Sequence, residues 1–288
     1  MGDAGHEIVA LTRRPAGEAL GLPEGVRAVQ WDAASARGPW AAEVRGADAV
    51  INLAGASIGG RPWTARYKRA ILESRLNATN ALVEAMAGME PAQRPKVLAN
   101  ASGIDYYGHR QDEIVTEDTP PGDSFLARVC VDWEAAARRA EALGVRVVLM
   151  RTSLVIHRDA PAFRLLVLPF RLFAGGPLGS GRQWFTWIHL DDIIGLYRLA
   201  VERSDLAGPV NAVAPDVRPQ REVAREIGRA LGRPSWLPAP AFALRLVLWE
   251  QADLLLHGRR AAPRKALAAG YEFRYPKLEQ ALAHELRA

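Results

Sequence analysis

Short apolar runs, rich in β-branched residues, alternate with helix-length segments along the first half of this 288-residue chain. The runs lie at residues 8–11, 49–53, 97–100 and 145–150. Such runs are typical of strands that are buried on both faces, and the long spacing between them indicates parallel pairing through crossover helices. The sequence therefore predicts an α/β fold built on a parallel sheet.

Two segments between these runs show the apolar periodicity of helices. Residues 63–86 align Ile71, Arg75, Ala78, Leu82 and Met86, and residues 125–143 align Leu126, Cys130, Trp133 and Ala137. Gly144 follows the second segment at a position where glycine commonly ends a helix. Two helices that each cover a parallel sheet are expected from these patterns.

The pattern changes after Arg151. Residues 161–181 are rich in Pro and Gly, residues 188–201 and 210–213 indicate one more helix and strand, and residues 220–288 indicate helices broken by prolines. We expect residues 1–155 and 188–214 to form a nucleotide-binding domain. Residues 156–187 and 215–288 then form a smaller substrate lobe, which packs over the carboxyl edge of the sheet.

The opening segment, residues 5–14, is typical of the second strand of a dinucleotide-binding unit. Such a unit begins with a strand, a Gly-rich turn and a helix whose N-terminus binds the pyrophosphate. Residues 1–4 fit only the end of that helix, so we expect a Rossmann-like, doubly wound sheet with its first strand missing. The strands at 8–11 and 50–53 should then be neighbours or leave a gap. If the first strand and its Gly-rich turn are missing, the alternative to a nucleotide-binding protein is a chain that binds no dinucleotide.

The second strand ends in Thr12, Arg13 and Arg14. Folds that bind NAD place an acidic residue here for the ribose 2′-hydroxyl, whereas NADP-binding folds use arginine for the 2′-phosphate. The sequence therefore favours NADP, and two solvated loop arginines are the alternative. A later strand closes with small residues that allow the backbone to approach a nucleotide, namely Asn52, Leu53, Ala54 and Gly55.

Composition excludes several other classes. The net charge is +5, but the basic residues are scattered, so we expect no nucleic-acid partner. The chain has no apolar run of transmembrane length and no signal-peptide pattern, so we expect a cytoplasmic protein without a membrane partner. Cys130 is the single cysteine, which excludes an intramolecular disulfide. The composition is also consistent with a homo-oligomer.

Several segments together resemble a known group. They are residues 47–55, Ser102 with residues 106–108, residues 125–134, and the most specific part, residues 175–192, which run from Gly-Gly-Pro to Asp-Asp. The chain from Gly5 onward resembles the atypical, extended short-chain dehydrogenase/reductases that are called epimerase family proteins. The resemblance implies a Rossmann-type NADP-binding domain with a small substrate lobe.

The resemblance also implies an atypical active site. The superfamily uses a Ser, an acid/base Tyr, a Lys four residues later and an upstream Asn. The matching positions here are Ser102, Leu126, Cys130 and Arg75. Leucine cannot donate a proton, and a neutral thiol cannot stabilise a tyrosinate, so the standard hydride mechanism is not available.

Other residues near these positions are the remaining catalytic candidates. Tyr106 and Tyr107 lie close to Ser102 and are candidates for a replacement acid, with Arg75 as electrostatic support; the alternative is that both rings only cap the nucleotide site. Arg75 lies on an apolar line, so either a functional or a snorkelling side chain is consistent with the sequence. Cys130 belongs to the cofactor site by resemblance, while its helical line favours a packing role over a nucleophile.

A substrate site is predicted where residues 175–184 combine glycines with polar and aromatic side chains. The expected contacts are Gly179, Ser180, Arg182, Gln183 and Trp184. We expect no metal site, because His189, Asp191 and Asp192 diverge around a helix start and the sequence offers no further ligand cluster. The predicted function is an NADP-dependent oxidoreductase or epimerase acting on an unidentified small molecule. The alternative is a non-catalytic nucleotide-binding regulator, such as one linked to cell division.

Overall fold

The structure is a computed structural model that describes residues 5–14 and 21–287. Its strands are β1 (Ile8–Thr12), β2 (Val26–Gln30), β3 (Ala49–Asn52), β4 (Val97–Gly103), β5 (Ile114–Val115), β6 (Arg146–Thr152), β7 (Leu154–Ile156), β8 (Trp184–Phe185), β9 (Trp187–His189), β10 (Gly208–Ala212), β11 (Arg218–Pro219) and β12 (Arg260–Ala261). Its helices are α1 (Ala41–Val44), α2 (Ala65–Ala87), α3 (Phe125–Arg138), α4 (Pro161–Arg171), α5 (Leu190–Glu202), α6 (Gln220–Leu231), α7 (Ala241–Leu248), α8 (Asp253–Leu256), α9 (Arg264–Ala268) and α10 (Leu278–Arg287).

The main sheet is parallel, as the sequence predicts. Its four strands follow the order β10-β6-β4-β3, and β1 and β2 form a separate parallel pair. Within residues 5–14 and 21–287, no hydrogen-bonded strand joins β1 to β3. We expected these two strands to be neighbours or to leave a gap, and the described residues show a gap in hydrogen-bonded pairing.

Side chains at the N-termini of the two long helices explain where these helices begin. The Thr64 hydroxyl accepts a hydrogen bond from the Tyr67 N–H before α2, and the Ser124 hydroxyl accepts one from the Ala127 N–H before α3. These contacts satisfy amide groups that the first turn leaves without partners. After α3 a 3₁₀ turn continues to Gly144, whose φ of +80° ends the segment as predicted.

The core has three main parts. The first packs α2 and the end of α3 against one face of the sheet, and it includes Leu82 and Met86. Leu11 of β1 and Val50 of β3 both pack against this part, so the two strand groups share one helical cover. The second part packs α5 against the other face, and the third lies between α4, α6 and α10.

The Pro- and Gly-rich region contains a helix that the sequence analysis missed. Pro161 stands at the first turn of α4, where proline is tolerated because that N–H has no helical partner. The buried positions Phe163, Val167 and Phe170 follow helical spacing. The expected strand at 210–213 is Gly208–Ala212, and the expected helix at 188–201 begins after β9. Among the described residues no helix is long and apolar enough to cross a lipid bilayer.

Candidate nucleotide and substrate site

The candidate site lies where the parallel strands end. Thr12 and Asn52 are the last residues of β1 and β3, and Ser102 is the penultimate residue of β4. Ser102 pairs in register with Arg151 of β6, which pairs with Asn211 of β10. Ligands of open α/β sheets bind in the crevice outside these carboxyl ends, next to the point where strand order reverses. The fold therefore brings most of the predicted cofactor positions to one edge.

Asn52 shapes the loop that follows β3. Its buried amide donates hydrogen bonds to Asn100 Oδ1 at 2.7 Å and to Thr79 Oγ1 at 3.0 Å, and its Oδ1 accepts the Ala54 N–H at 3.1 Å. The side chain is thus fully used within the protein. The next residue, Leu53, is 65% exposed, and Gly55 is also exposed. Asn52 consequently positions a loop in which Leu53 and Gly55 are exposed at the edge of the sheet, where a cofactor contact was predicted.

Arg75 lies directly beneath this loop. A Cβ atom added to Gly55 would lie 3.1 Å from the Arg75 guanidinium carbon, so a glycine permits this close approach. The guanidinium donates to the carbonyl oxygens of Ala56 and Ile71, and it lies 4.9 Å from the Trp133 ring centroid. Within the described chain it forms no ion pair with a carboxylate, and burial lowers its pKa. The crevice therefore contains a half-buried cation that has no ion-pair partner among the described residues.

Ser102 belongs to a buried polar network. Its hydroxyl donates to Glu134 Oε1 at 2.7 Å, and Glu134 receives two hydrogen bonds from Arg151, each of 2.8 Å. Both charged side chains are almost fully buried. The bidentate geometry and the Ser102 hydroxyl satisfy a carboxylate that would be costly to bury alone. Ser102 is thus fixed in place and is already hydrogen-bonded.

Two neighbouring tyrosines have different environments. Tyr107 is fully buried; its hydroxyl donates to Asn211 Oδ1 at 2.7 Å and accepts from Arg151 at 2.9 Å. Burial raises the pKa of Tyr107 to about 12. The structure therefore argues against Tyr107 as the replacement acid, because its hydroxyl is enclosed. Tyr106 is half-buried, and its ring centroid lies 3.4 Å from the Arg151 guanidinium carbon.

Leu126 and Cys130 both face the protein interior. Leu126 is buried in a small apolar cluster with Ile71 and Val129. Cys130 is buried, and burial raises the pKa of its thiol to about 12. A thiol with this pKa is almost entirely neutral near pH 7, so it is a poor nucleophile. The structure places Cys130 beside Gly103 and Ser102, where it contributes packing at the edge of the crevice.

Arg13 and Arg14 are exposed at the end of β1. The Thr12 hydroxyl accepts the Arg14 N–H at 3.2 Å, which turns the chain at this point. Neither guanidinium forms an ion pair with another described residue. Their position at the carboxyl end of the strand is the one from which arginine reaches a ribose 2′-phosphate.

The predicted substrate loop divides into supporting and exposed residues. The Gln183 amide donates to the carbonyl oxygens of Leu178 and Leu255, so this side chain holds the loop together. Trp184 donates to Asp112 at 2.9 Å. Ser180 and Arg182 are exposed, and Gly179 has a φ of +57° beside the Leu256 side chain. The ligand contacts expected from these residues stay predictions.

The sequence analysis missed several charged residues near the site. Glu134 lies on α3 among apolar neighbours, one turn after Cys130, and Arg151 lies at the end of a buried strand. Charged residues are seldom buried without a partner, so a charge at each of these two apolar positions could have indicated an ion pair between them. The ion pair of 2.8 Å that Asp105 forms with buried Arg259 was also missed. That contact spans 154 residues of sequence, which no local pattern reveals.

Comparison with known proteins now identifies the family. Residues 1–213 match the NAD dependent epimerase/dehydratase family, and residues 239–285 match a domain of unknown function, DUF1731. The chain belongs to the NAD dependent epimerase/dehydratase family. This epimerase-family chain is similar to the epimerase family protein SDR39U1 homolog of Arabidopsis thaliana, with 39% identity over 84% of the chain and 70% of the relative. It is also 38% identical to the epimerase family protein YfhF of Bacillus subtilis, over 82% and 77%.

A solved structure supports the same assignment. The crystal structure of human epimerase family protein SDR39U1 (isoform2) with NADPH is 34% identical to this epimerase-family chain, with a TM-score of 0.86. The match covers 99% of this chain and 92% of the human one. The expectation of a Rossmann-like parallel sheet is confirmed, and the NADP expectation agrees with the NADPH of the human structure.

Proposed function

We propose that this chain binds NADP(H) along the carboxyl ends of β1, β3 and β4 and acts on an unidentified small molecule as an oxidoreductase or epimerase. The observation that carries the proposal is Arg75, a half-buried cation beneath the exposed residues Leu53 and Gly55 without a carboxylate partner in the described chain. A buried guanidinium is costly unless an anion neutralises it. A phosphate-bearing cofactor supplies that charge.

The residues at this edge fit the parts of such a cofactor. Arg13 and Arg14 carry exposed guanidinium groups that match a 2′-phosphate bidentately. Ala54 and Gly55 allow a close approach to the backbone, and Leu53 beside them is exposed. When bound, the nicotinamide ring would give or accept a hydride. The contribution of the protein is to hold the ring and the substrate and to exclude water.

Proton transfer in this site needs a group other than those at the superfamily positions. Leu126 has no titratable atom, and the Cys130 thiol is buried and neutral. Tyr107 is enclosed, so Tyr106 is the tyrosine that stands next to the crevice, with its ring against Arg151. We assign Tyr106 as the acid and Ser102 as a positioning group that Glu134 holds in place.

Titration with NADPH and NADH, followed by cofactor fluorescence, tests the binding part. Arg75→Gln should weaken NADPH binding about tenfold, which corresponds to one charge-assisted hydrogen bond of about 1.5 kcal/mol. Arg69→Gln is the matched control, because it removes the same charge from an exposed position of the same helix. Equal affinities for the two variants and the unmodified chain would refute a cofactor role for Arg75.

A non-catalytic nucleotide-binding regulator is the second candidate. The hydrogen bond of 2.7 Å from Ser102 to Glu134 favours it, because this hydroxyl already has an acceptor inside the protein. Steady-state oxidation of NADPH across a library of carbonyl compounds separates the two functions. Turnover that Tyr106→Phe abolishes without loss of NADPH affinity supports the enzyme. Tight binding without turnover of any compound supports the regulator.

A further inference from the structure

Three potential metal ligands meet on the substrate side of the molecule. His109 follows the turn that carries Tyr106 and Tyr107, while Asp253 begins α8 and His257 follows its end. One ligand atom from each of these side chains lies within 4.8 Å of the other two. The three residues come from two distant parts of the chain, so the tertiary fold creates this cluster.

The distance between two of these ligand atoms fits a shared ion. His257 Nδ1 lies 3.3 Å from Asp253 Oδ1. Two ligands that bind one tetrahedral zinc ion at about 2.0–2.1 Å are separated by about 3.3 Å. Although the two atoms are close, they form no hydrogen bond: His257 Nδ1 is shielded from solvent and has no hydrogen-bond partner among the described residues. An orphaned polar atom of this kind requires an explanation, and a bound ion provides one.

The second histidine is suited to the same ion. The His109 and His257 ring centroids are 4.1 Å apart. A metal binds the neutral imidazole through one ring nitrogen, and each of these two rings offers one ligand atom to the cluster. The positive charge of Arg259 is balanced by its ion pair with Asp105, and Asp253 supplies a negative charge to the cluster.

In a second cluster of three possible ligands, the histidine has hydrogen-bond partners on both ring nitrogens. His189 Nε2 lies 2.9 Å from Glu285 Oε1, and His189 Nδ1 accepts the Asp191 N–H at 3.1 Å. Both ring nitrogens therefore have hydrogen-bond partners within the protein. His189, Glu285 and His284 also lie close enough to share an ion. The hydrogen bonds of His189 explain that arrangement without one.

We propose that His109, Asp253 and His257 form a binding site for a divalent first-row metal ion, with Zn²⁺ the best match. Two imidazoles and one carboxylate leave a fourth position for water or substrate, as in catalytic zinc sites. The site adjoins the predicted substrate loop, because Gly258 packs so closely on the Trp184 backbone that an added Cβ would lie 2.0 Å from the Trp184 carbonyl oxygen. A bound ion would therefore stand beside the loop that carries Trp184.

Metal titration tests this site without reference to activity. The full chain, with any affinity tag removed and after treatment with a chelator, is titrated with Zn²⁺ in competition with a chromophoric chelator. We expect one tight equivalent. His109→Gln and His257→Gln should each weaken binding by more than about 100-fold, since the loss of a mere outer-shell partner already costs 10–100-fold. Bound Co²⁺ should give the intense visible bands of a four-coordinate site.

The control is His284→Gln, which removes an exposed histidine from the second cluster and should leave the zinc affinity unchanged. Thermal unfolding without metal checks that each variant folds. If His257→Gln fails to fold, the exposed His109 carries the test by itself. Absence of a tight equivalent, or an equivalent that persists in both His109→Gln and His257→Gln, would overturn the proposal.

Discussion

The structure buries the thiol of Cys130, the residue that the resemblance matched to the superfamily lysine, next to Gly103. The helical line through Leu126, Cys130 and Trp133 was visible in the sequence, and all three side chains are buried. Arg75, on the corresponding line of α2, could not be assigned in the same way. The burial of Arg75 depends on contacts with Gly55 and Ala56. The helical periodicity of α2 does not show that these loop residues lie beside Arg75.

Replacement of the buried thiol should affect stability more than binding. Cys130→Ala should lower the free energy of unfolding by about 1 kcal/mol, because it leaves a small cavity. Affinity for NADPH should stay nearly unchanged. Chemical denaturation and NADPH titration measure the two quantities. Since burial holds the thiol pKa near 12, iodoacetamide should alkylate the folded protein slowly; rapid alkylation that NADPH prevents would place Cys130 in the active site.

Selectivity between the two dinucleotides should depend on the end of β1. Replacement of both Arg13 and Arg14 by Ala should weaken NADP binding much more than NAD binding, because a bare 2′-hydroxyl gains little from a guanidinium. Isothermal titration with each cofactor provides the comparison. Equal losses for the two cofactors would contradict the assignment.

At the scale of whole elements, His189 joins two helices. Its Nδ1 caps α5 and its Nε2 contacts Glu285 of α10, whose other carboxylate oxygen accepts the Arg158 N–H at 2.7 Å. Its partner Glu285 lies 96 residues away, so no local sequence pattern indicates this contact. Similarly, α4 was missed because its prolines and the glycines that follow concealed the spacing of Phe163, Val167 and Phe170.

The contact with Glu285 makes the attachment of α10 sensitive to acid. Burial opposes ionisation of Glu285, but hydrogen bonds from Arg158 and His189 outweigh it and lower the pKa below its ordinary value of 4.5. A lowered pKa in the folded state stabilises the fold above the unfolded value, and this stabilisation is lost as pH falls through the folded pKa. We expect a decline in melting temperature below about pH 4.5 that Glu285→Gln reduces. An identical pH profile for the variant would contradict this assignment.

Across the whole molecule, the network of Glu134 and Arg151 joins α3, β4, β6 and β10. Ser102 bonds to Glu134 and Tyr107 to Arg151, and Asn211 joins the network through the Tyr107 hydroxyl. The parallel sheet that organises these elements follows from local sequence patterns. The network does not, because the hydrogen bond from Tyr107 to Asn211 spans 104 residues. The global sheet was thus predictable, whereas the chemistry at its edge depended on long-range pairs.

Loss of the buried ion pair between Glu134 and Arg151 should destabilise the entire fold. Glu134→Gln should cost about 3 kcal/mol, because it leaves the buried charge of Arg151 without its partner. Chemical denaturation of Glu134→Gln, Arg151→Met and the double variant measures the effect, and the double variant should lose less than the sum of the singles. Asp118→Asn, which interrupts the exposed pair with Arg264, should change stability little. Additive losses would show that the two residues do not act as a pair.

The late return of the chain to the sheet also has a consequence for biosynthesis. Ser153, just after β6, donates to the carbonyl oxygen of Ala212, the last residue of β10 and 59 positions later. A ribosome must therefore complete the intervening segment before β10 can cover the edge of β6. Until then the nascent chain exposes a hydrogen-bonding edge flanked by Val148 and Met150, which are fully buried in the finished protein. During this interval the unpaired edge of β6 is a site at which the growing polypeptide can aggregate and a chaperone can act.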